Sequence, residues 1–443
     1  MIKRYTKEEM GALWAELQKK ANWHDVEAAV LTARERLKQI PKGASEGVAT
    51  LVITEEILNR ADVIEETTDH DLLAFVLAVT EQLSVEASPF YHDGLTSFDD
   101  EDTGLGMMMV QSLDIIIESL KRTRGILWRQ ANEHRMTIMV GRTHNVHAKP
   151  YTFGLKLLNW LDVIEFHIRH LEQVKEIVGV GKLSGAVGTY TLDPEVETLA
   201  CQELGLEAAR ISTQIISRHV HFQYASALIA LANSLDKFAT DIRLMAGTDC
   251  GEVAEFKKPG AKGSSALPGK SRLGNSIKSE NVCALAKLAR GYIVPALECQ
   301  NLWHERTLDN SAAERIYMPD LTIVVHFMLE RFTAVIDKLV VNPVQMVVNL
   351  NKTGGIIYAE HVMMALTETG MPRPEAYELC ESLAMQTNRG SFRTNEGKSF
   401  RDLVFETKVI TSRVLHEHLK QCFDPKESLQ HVDAVFERFG LSV

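Results

Sequence analysis

The chain has 443 residues and a formal net charge of −11, long enough for two or three domains with a large buried core. Its acidity argues against a general nucleic-acid binder but leaves room for a local Arg and Lys cluster that holds an anionic ligand. No apolar run approaches the roughly 18 residues of a spanning helix, and the opening "MIKRYTKEEMGALWAELQKK" lacks the apolar core of a signal peptide. A soluble, cytoplasmic protein with no membrane partner is therefore expected.

In chain order, the first polar punctuation is "YHDGLTSFDDEDT", followed by the helix-period tract "MMMVQSLDIIIESLKRTR". After the polar segment "VGRTHNVHAKP", Leu157, Leu161, Ile164, Ile168, Leu171, Val174 and Val178 mark one face of a long helix between Gly154 and Gly179. The loop "GKLSGAVGTY" comes next. Between Gly205 and Gly247 neither Gly nor Pro occurs, and "ALIALANSLDKFATDIRLM" again runs at helical period. Strand-like alternation is hard to find. The expected class is all-α, an elongated central bundle of long helices over 93–341, flanked by smaller helical domains over 1–92 and 342–443. Helices this long are hard to bury in one small domain, so self-association is expected. The cysteines Cys201, Cys250, Cys283, Cys299, Cys380 and Cys422 have no CxxC spacing and read as reduced, buried thiols.

Several loops carry reactive residue types. The run "KGSSALPGKSRLGNS" ends one part in Gly-Lys-Ser, as a P-loop does, but five residues separate Gly263 from Gly269 where a P-loop has four, and no apolar strand precedes it. His144 and His147 stand three apart, as metal ligands on a helix do, yet no third ligand accompanies them. His70 with Asp71 reads in isolation as a surface pair. Arg306 and Arg315 read in isolation as helix ion-pair partners of Glu305 and Glu314.

Taken together and in order, these segments resemble the adenylosuccinate lyases of the fumarase and aspartase superfamily. Gly263, Ser264, Ser265, Ala266, Leu267, Pro268, Gly269 and Lys270 resemble the signature GSSxMPxK, and "GLTSFD" resembles GLTSSD. "GRTHNVHAKPYTFGLKL" resembles GRTHGQHAEPTTFGLKL, and "GKLSGAVGTY" resembles GKISGAVGTY. "RYT", "ISTQ", "WHER" and "SAAERIYMPD" continue the match along the chain.

The resemblance implies a carbon-nitrogen lyase that releases fumarate from a phosphorylated N-succinyl substrate. It implies Ser264 as base, His144 as acid, Glu280 as the carboxylate that charges an active-site histidine, and Lys270 as a cation beside the base. Thr96, Ser97, Thr143, Gln214, Lys270 and Asn275 are implied to bind the succinyl carboxylates. Arg4, Tyr5, His70, Asp71, Arg306, Ser311 and Arg315 are implied to hold the nucleotide, with the two arginines and a hydroxyl forming a phosphate clamp. The resemblance implies a homotetramer with shared active sites and neither a metal nor an organic cofactor.

The chain departs from the pattern near the reacting groups. The signature loop carries three extra residues before Asn275, and Phe98 stands where a polar residue is usual. Asn145 and Val146 replace Gly-Gln, Lys149 replaces an acid, Asn310 replaces a His, and His219 and Val220 replace Asp and Arg. Three readings are consistent with this: a diverged adenylosuccinate lyase, a relative acting on another N-succinyl compound, or a catalytically silent structural homologue.

Overall fold

The computed structural model describes residues 1–262, 264–267, 274–387 and 397–440. The chain forms two compact units, one from residues 1–123, 164–239 and 280–333, the other from 124–163, 240–279 and 334–443. Four long helices, Ser97–Glu133, Phe153–Val178, His219–Ala246 and Ser311–Asp337, carry the chain from one unit into the other. No described helix is long and apolar enough to cross a membrane.

Local sequence explains where the helices begin and end in the first unit. Thr54 precedes Glu55–Thr68, whose first turn carries Glu55 and Glu56, a favourable charge at the positive end of the helix dipole. Asp69, at φ 50°, ends that helix in the left-handed conformation that Asp tolerates. His70 then caps Asp71–Thr80, its Nδ1 accepting from the Leu73 amide. Trp23, Leu31, Phe75, Val79 and Tyr91 close one core here, and Val26, Val30, Val196, Cys201 and Leu206 close another. The second unit buries Val362, Leu366, Phe400, Val404 and Leu419.

The all-α expectation holds, with one correction of detail. The segment read as a polar loop around "VGRTHNVHAKP" is an antiparallel hairpin, Ile138–Thr143 against Val146–Thr152. His144 and Asn145 form its two-residue turn, both at positive φ (53° and 61°), the backbone that a type I′ hairpin turn requires. The tract read at helical period, residues 227–245, lies within the helix His219–Ala246. The preceding residues are diverted by a buried ion network: the Ile216 amide donates to Asp102, and the Ile216 carbonyl accepts from Arg218, both at 2.7 Å.

Arg218 is the centre of that network. Its guanidinium donates to both oxygens of Asp102 at 2.7 and 2.9 Å and to Glu314 at 3.0 Å. Asn310 adds an amide donor to Glu314 at 2.9 Å. All four side chains are buried, so each charge depends on the others for its solvation. Arg218→Met is predicted to strand two buried carboxylates and to lower stability by about 3–5 kcal/mol, measured by urea unfolding; an unchanged midpoint would contradict this account of the network.

Candidate active site

The site residues of the first unit are organised by a buried ion pair. Lys182 and Asp99 have fully buried side chains, with Nζ 2.5 Å from Oδ1. Lys182 also donates to the carbonyls of Gln214 at 2.9 Å and Gly185 at 3.3 Å. Asp99 in turn accepts the Gly185 amide at 3.2 Å and the Thr96 amide at 2.8 Å. Burial pushes the Asp99 carboxyl up despite the opposing Lys182 ammonium. Three separate segments, 94–99, 180–185 and 212–216, are thus tied to one pair of charges, and two of them carry predicted carboxylate ligands.

Around this hub the structure brings together much of the predicted binding set. With Nδ1 of His70 accepting from the Leu73 amide, its proton resides on Nε2, which faces the Ser97 hydroxyl at 3.3 Å. Arg306 donates to the Gln214 side-chain oxygen at 2.6 Å and stacks over the Phe98 ring, 3.9 Å from its centroid. Phe98 is therefore a buried platform for an arginine, which explains the replacement of a polar residue there. Arg315 is held by Asp71 at 2.5 Å and Glu101 at 3.0 Å. Although burial opposes it, Arg315 keeps the Asp71 carboxyl below its ordinary value. Ser311 begins its helix, and its amide bonds to the Leu308 carbonyl at 3.1 Å. Arg4 and Tyr5 lie on the short turn Lys3–Tyr5, with the Tyr5 ring edge-on to Phe327 at 5.4 Å.

A cavity of about 560 Å³ opens beside these groups in the same unit, lined in part by Lys20, Trp23, Asp71, Glu101, Ser311 and Arg315. Glu16, Glu55, Asp62 and Glu65 line it as well, so carboxylates outnumber cations around this cavity, and Arg315 there is already paired with Asp71 and Glu101.

The reacting residues predicted from the signature segments belong mainly to the second unit. His144 and Thr143 are exposed at the hairpin tip. Arg142 anchors the hairpin by a two-pronged bond to the buried Glu252, at 2.7 and 3.0 Å, and Asn349 donates to the same carboxylate at 2.9 Å. The departure Lys149 forms an ion pair with Glu360. Ser264 Oγ accepts the Leu267 amide at 3.0 Å and the Ala266 amide at 3.2 Å. Two backbone donors aimed at a hydroxyl oxygen stabilise negative charge on it, as a serine base requires. Lys270 lies outside the described residues, as do Gly263, Pro268 and Gly269. Asn275 stands just before the helix Ile277–Gly291, which Glu255 caps through the Ser279 amide and hydroxyl, both at 2.7 Å. Glu280, in the first turn of that helix, is exposed and falls in the first unit.

One cluster was missed from sequence. His92 Nδ1 lies 2.7 Å from Glu27 and 3.1 Å from Asp100, and both carboxylates are buried. Burial alone would discharge His92; Asp100 and Glu27 outweigh it and raise its pKa to about 10. Burial and the neighbouring Glu27 push the Asp100 carboxyl well up, and the buried cluster of the three residues fixes the backbone entering the Thr96 and Ser97 segment, at His92's positive φ of 58°. Nothing local signals this, because Glu27 is distant in sequence yet accepts from the His92 amide and faces its ring nitrogen.

Similarity to known proteins agrees with this architecture. A family model described as lyase matches residues 4–291, and one described as adenylosuccinate lyase C-terminus matches residues 355–439. Among solved structures, a fumarate lyase from Mesorhizobium sp. superposes with a TM-score of 0.87 at 26% identity, covering 99% of each chain. A 3-carboxy-cis,cis-muconate lactonizing enzyme from Pseudomonas putida also gives 0.87 at 26% identity, over 98% of this chain and 96% of the other. The fold and the matched segments define a lyase of the fumarase and aspartase superfamily. Curated adenylosuccinate lyases from Synechocystis sp. and Bacillus subtilis are 41% and 42% identical to the chain, each over 100% of both sequences. The chain belongs to the adenylosuccinate lyase family.

The raised pKa of His92 has a definite sign. The imidazolium's contribution to stability is complete below the ordinary value of 6.5 and is lost as pH rises toward about 10. His92→Gln is predicted to remove that pH-dependent component, so the wild type's advantage shrinks between pH 7 and pH 10; a constant difference measured by urea unfolding at each pH would contradict a charged His92.

Proposed function

We propose that this chain eliminates fumarate from adenylosuccinate to leave AMP, in purine biosynthesis, and acts likewise on the succinyl aminoimidazole carboxamide ribotide. The observation that carries this reading is the agreement with adenylosuccinate lyases from end to end at about 40% identity. The geometry of Ser264 supports the chemistry. Its alkoxide, stabilised by the Ala266 and Leu267 amides, takes the proton from the carbon beside a succinyl carboxylate. The electron pair is held on that carboxylate, where Thr96, Ser97, Thr143, Gln214 and Asn275 supply donors, with Lys270 as cation. The carbon-nitrogen bond then breaks as His144 gives a proton to the departing nitrogen, producing fumarate and the free amino group of AMP. Glu280 serves to hold a histidine of the site in its charged form.

Arg306, Ser311 and Arg315 hold the phosphate, and Arg4, Tyr5, His70 and Asp71 hold the rest of the nucleotide. The working assembly in this reading is a cytoplasmic homotetramer whose sites combine loops of different subunits. A second reading, elimination of fumarate from another N-succinyl compound, draws on the carboxylates that occupy Arg315 and on Phe98 beneath Arg306.

Purified protein mixed with adenylosuccinate is predicted to form AMP and fumarate in equal amounts. Ser264→Ala should lower kcat by at least about 10³-fold without loss of binding. Turnover of other N-succinyl compounds but not of adenylosuccinate would favour the second reading. Mixing inactive Ser264→Ala with inactive Arg315→Ala should restore part of the activity if sites are shared between subunits; a mixture that stays inactive after subunit exchange would oppose the shared-site arrangement.

A further inference from the structure

Beyond the irregularity in register at Gly141 and Arg142, two residue pairs, Arg142 with His147 and Thr143 with Val146, carry the hairpin to its turn. Thr143, His144, Asn145 and Val146 are exposed, so no packing holds the tip. His144 and Asn145 nevertheless sit at φ 53° and 61°, where glycine rests freely and a residue with a side chain is strained. The returning strand offers little restraint. His147 leaves its Nδ1 without a hydrogen-bond partner, and the pair of Lys149 with Glu360 is exposed and therefore weak.

The outgoing strand supplies the restraint through Arg142. Its two terminal nitrogens bond the two oxygens of Glu252 at 2.7 and 3.0 Å, a planar match that fixes orientation as well as distance. Glu252 is fully buried. Its amide donates to the Met245 carbonyl and its carbonyl accepts the Asn342 amide, both at 2.9 Å. Asn349 donates to its Oε1 at 2.9 Å and to the Cys250 carbonyl at 2.7 Å. Met245 lies in the last turn of His219–Ala246, while Asn342 caps Pro343–Asn351 and Asn349 lies in its last turn. Glu252 thus ties two helices to a side chain two residues from His144. Although burial opposes it, Arg142 and Asn349 hold the Glu252 carboxyl below its ordinary value.

We propose that Glu252 is a positioning residue for the reaction: by clamping Arg142 it holds the His144–Asn145 turn in the left-handed conformation that aims the His144 imidazole at the departing nitrogen. The inference rests on the reading of His144 as the acid. Glu252 touches no substrate in this arrangement, and its effect passes through the backbone of the hairpin. The residue after His144 shows what the clamp is for. Where the family pattern has Gly, this chain has Asn145, so the turn lacks the residue that takes positive φ most readily. Proton transfer is sensitive to such placement, since a shift of about 1 Å in a reacting group costs about 10²-fold in rate.

The test compares the full chain with Glu252→Gln, Asn145→Gly and the double variant. Fumarate release is followed with adenylosuccinate, or with whichever N-succinyl compound proves to be the substrate, and binding of the amine product is measured by calorimetry. Glu252→Gln keeps the shape but loses the charge and one acceptor of the two-pronged bond. It should lower kcat by about 10²-fold while KM and product affinity change by less than about twofold. Asn145→Gly alone should stay within about threefold of the wild type, and added to Glu252→Gln it should raise kcat about tenfold, because Gly takes the turn conformation without the clamp. General loosening of the fold would not be rescued by a Gly, which adds chain freedom. Wild-type kcat in Glu252→Gln, an equal loss of product affinity, or no recovery in the double variant overturns the proposal. If Glu252→Gln does not fold, Arg142→Gln breaks the same bond from the other side and is read the same way. His144→Gln, assayed in parallel, separates this inference from the reading beneath it. If it is inactive while Glu252→Gln is fully active, His144 stands as the acid and the positioning role falls; if it keeps full kcat, both fall. A wild type that releases fumarate from no N-succinyl compound also overturns both.

Discussion

The buried Lys182–Asp99 pair is the constraint on which the geometry of the binding segments depends. Neither group touches water, and each is solvated by what it holds: the Gln214 and Gly185 carbonyls by Lys182, the Thr96 and Gly185 amides by Asp99. A buried pair of this kind is weak evidence for stability, since apolar replacements often serve as well. Its use is directional. It sets the backbone positions from which Thr96, Ser97 and Gln214 present their side chains, and it does so from three distant parts of the sequence.

The same economy governs the cations outside the hub. Arg306 rests on Phe98 and donates to Gln214, while Arg315 is shared between Asp71 and Glu101. Both guanidinium groups are held in fixed orientations by contacts within the chain, which lowers the ordering cost of any ligand they meet. Arg315 is thereby neutralised by two carboxylates of its own chain. In the other unit, Ser264 is set up differently, by backbone amides that require no charged neighbour to be in place.

The helices were legible because their apolar spacing is a local property: Phe153–Val178 fits the face read from Leu157 to Val178 within its bounding glycines. The hairpin was not, because strand pairing here rests on Arg142, Glu252 and Asn349, which meet only in the fold. The start of His219–Ala246 carries no Gly or Pro to mark it, because the segment before it is set by Asp102 and Arg218. Of the site, the ordered motifs revealed the residue types. They did not reveal that Phe98 supports Arg306, that Glu101 shares Arg315, or that His92 sits between Glu27 and Asp100, because long-range ion pairing leaves no periodic signature.

The most direct test of this account is kinetic analysis of Lys182→Met combined with amide exchange. The variant should fold, yet lose about 10²-fold or more in kcat/KM for fumarate release, because displaced substrate-positioning groups cost that much. Amides in segments 94–99 and 212–216 should exchange faster than in the wild type while the helix His219–Ala246 stays protected. A folded Lys182→Met with wild-type kinetics and unchanged exchange in those segments would contradict the central role given to the buried pair.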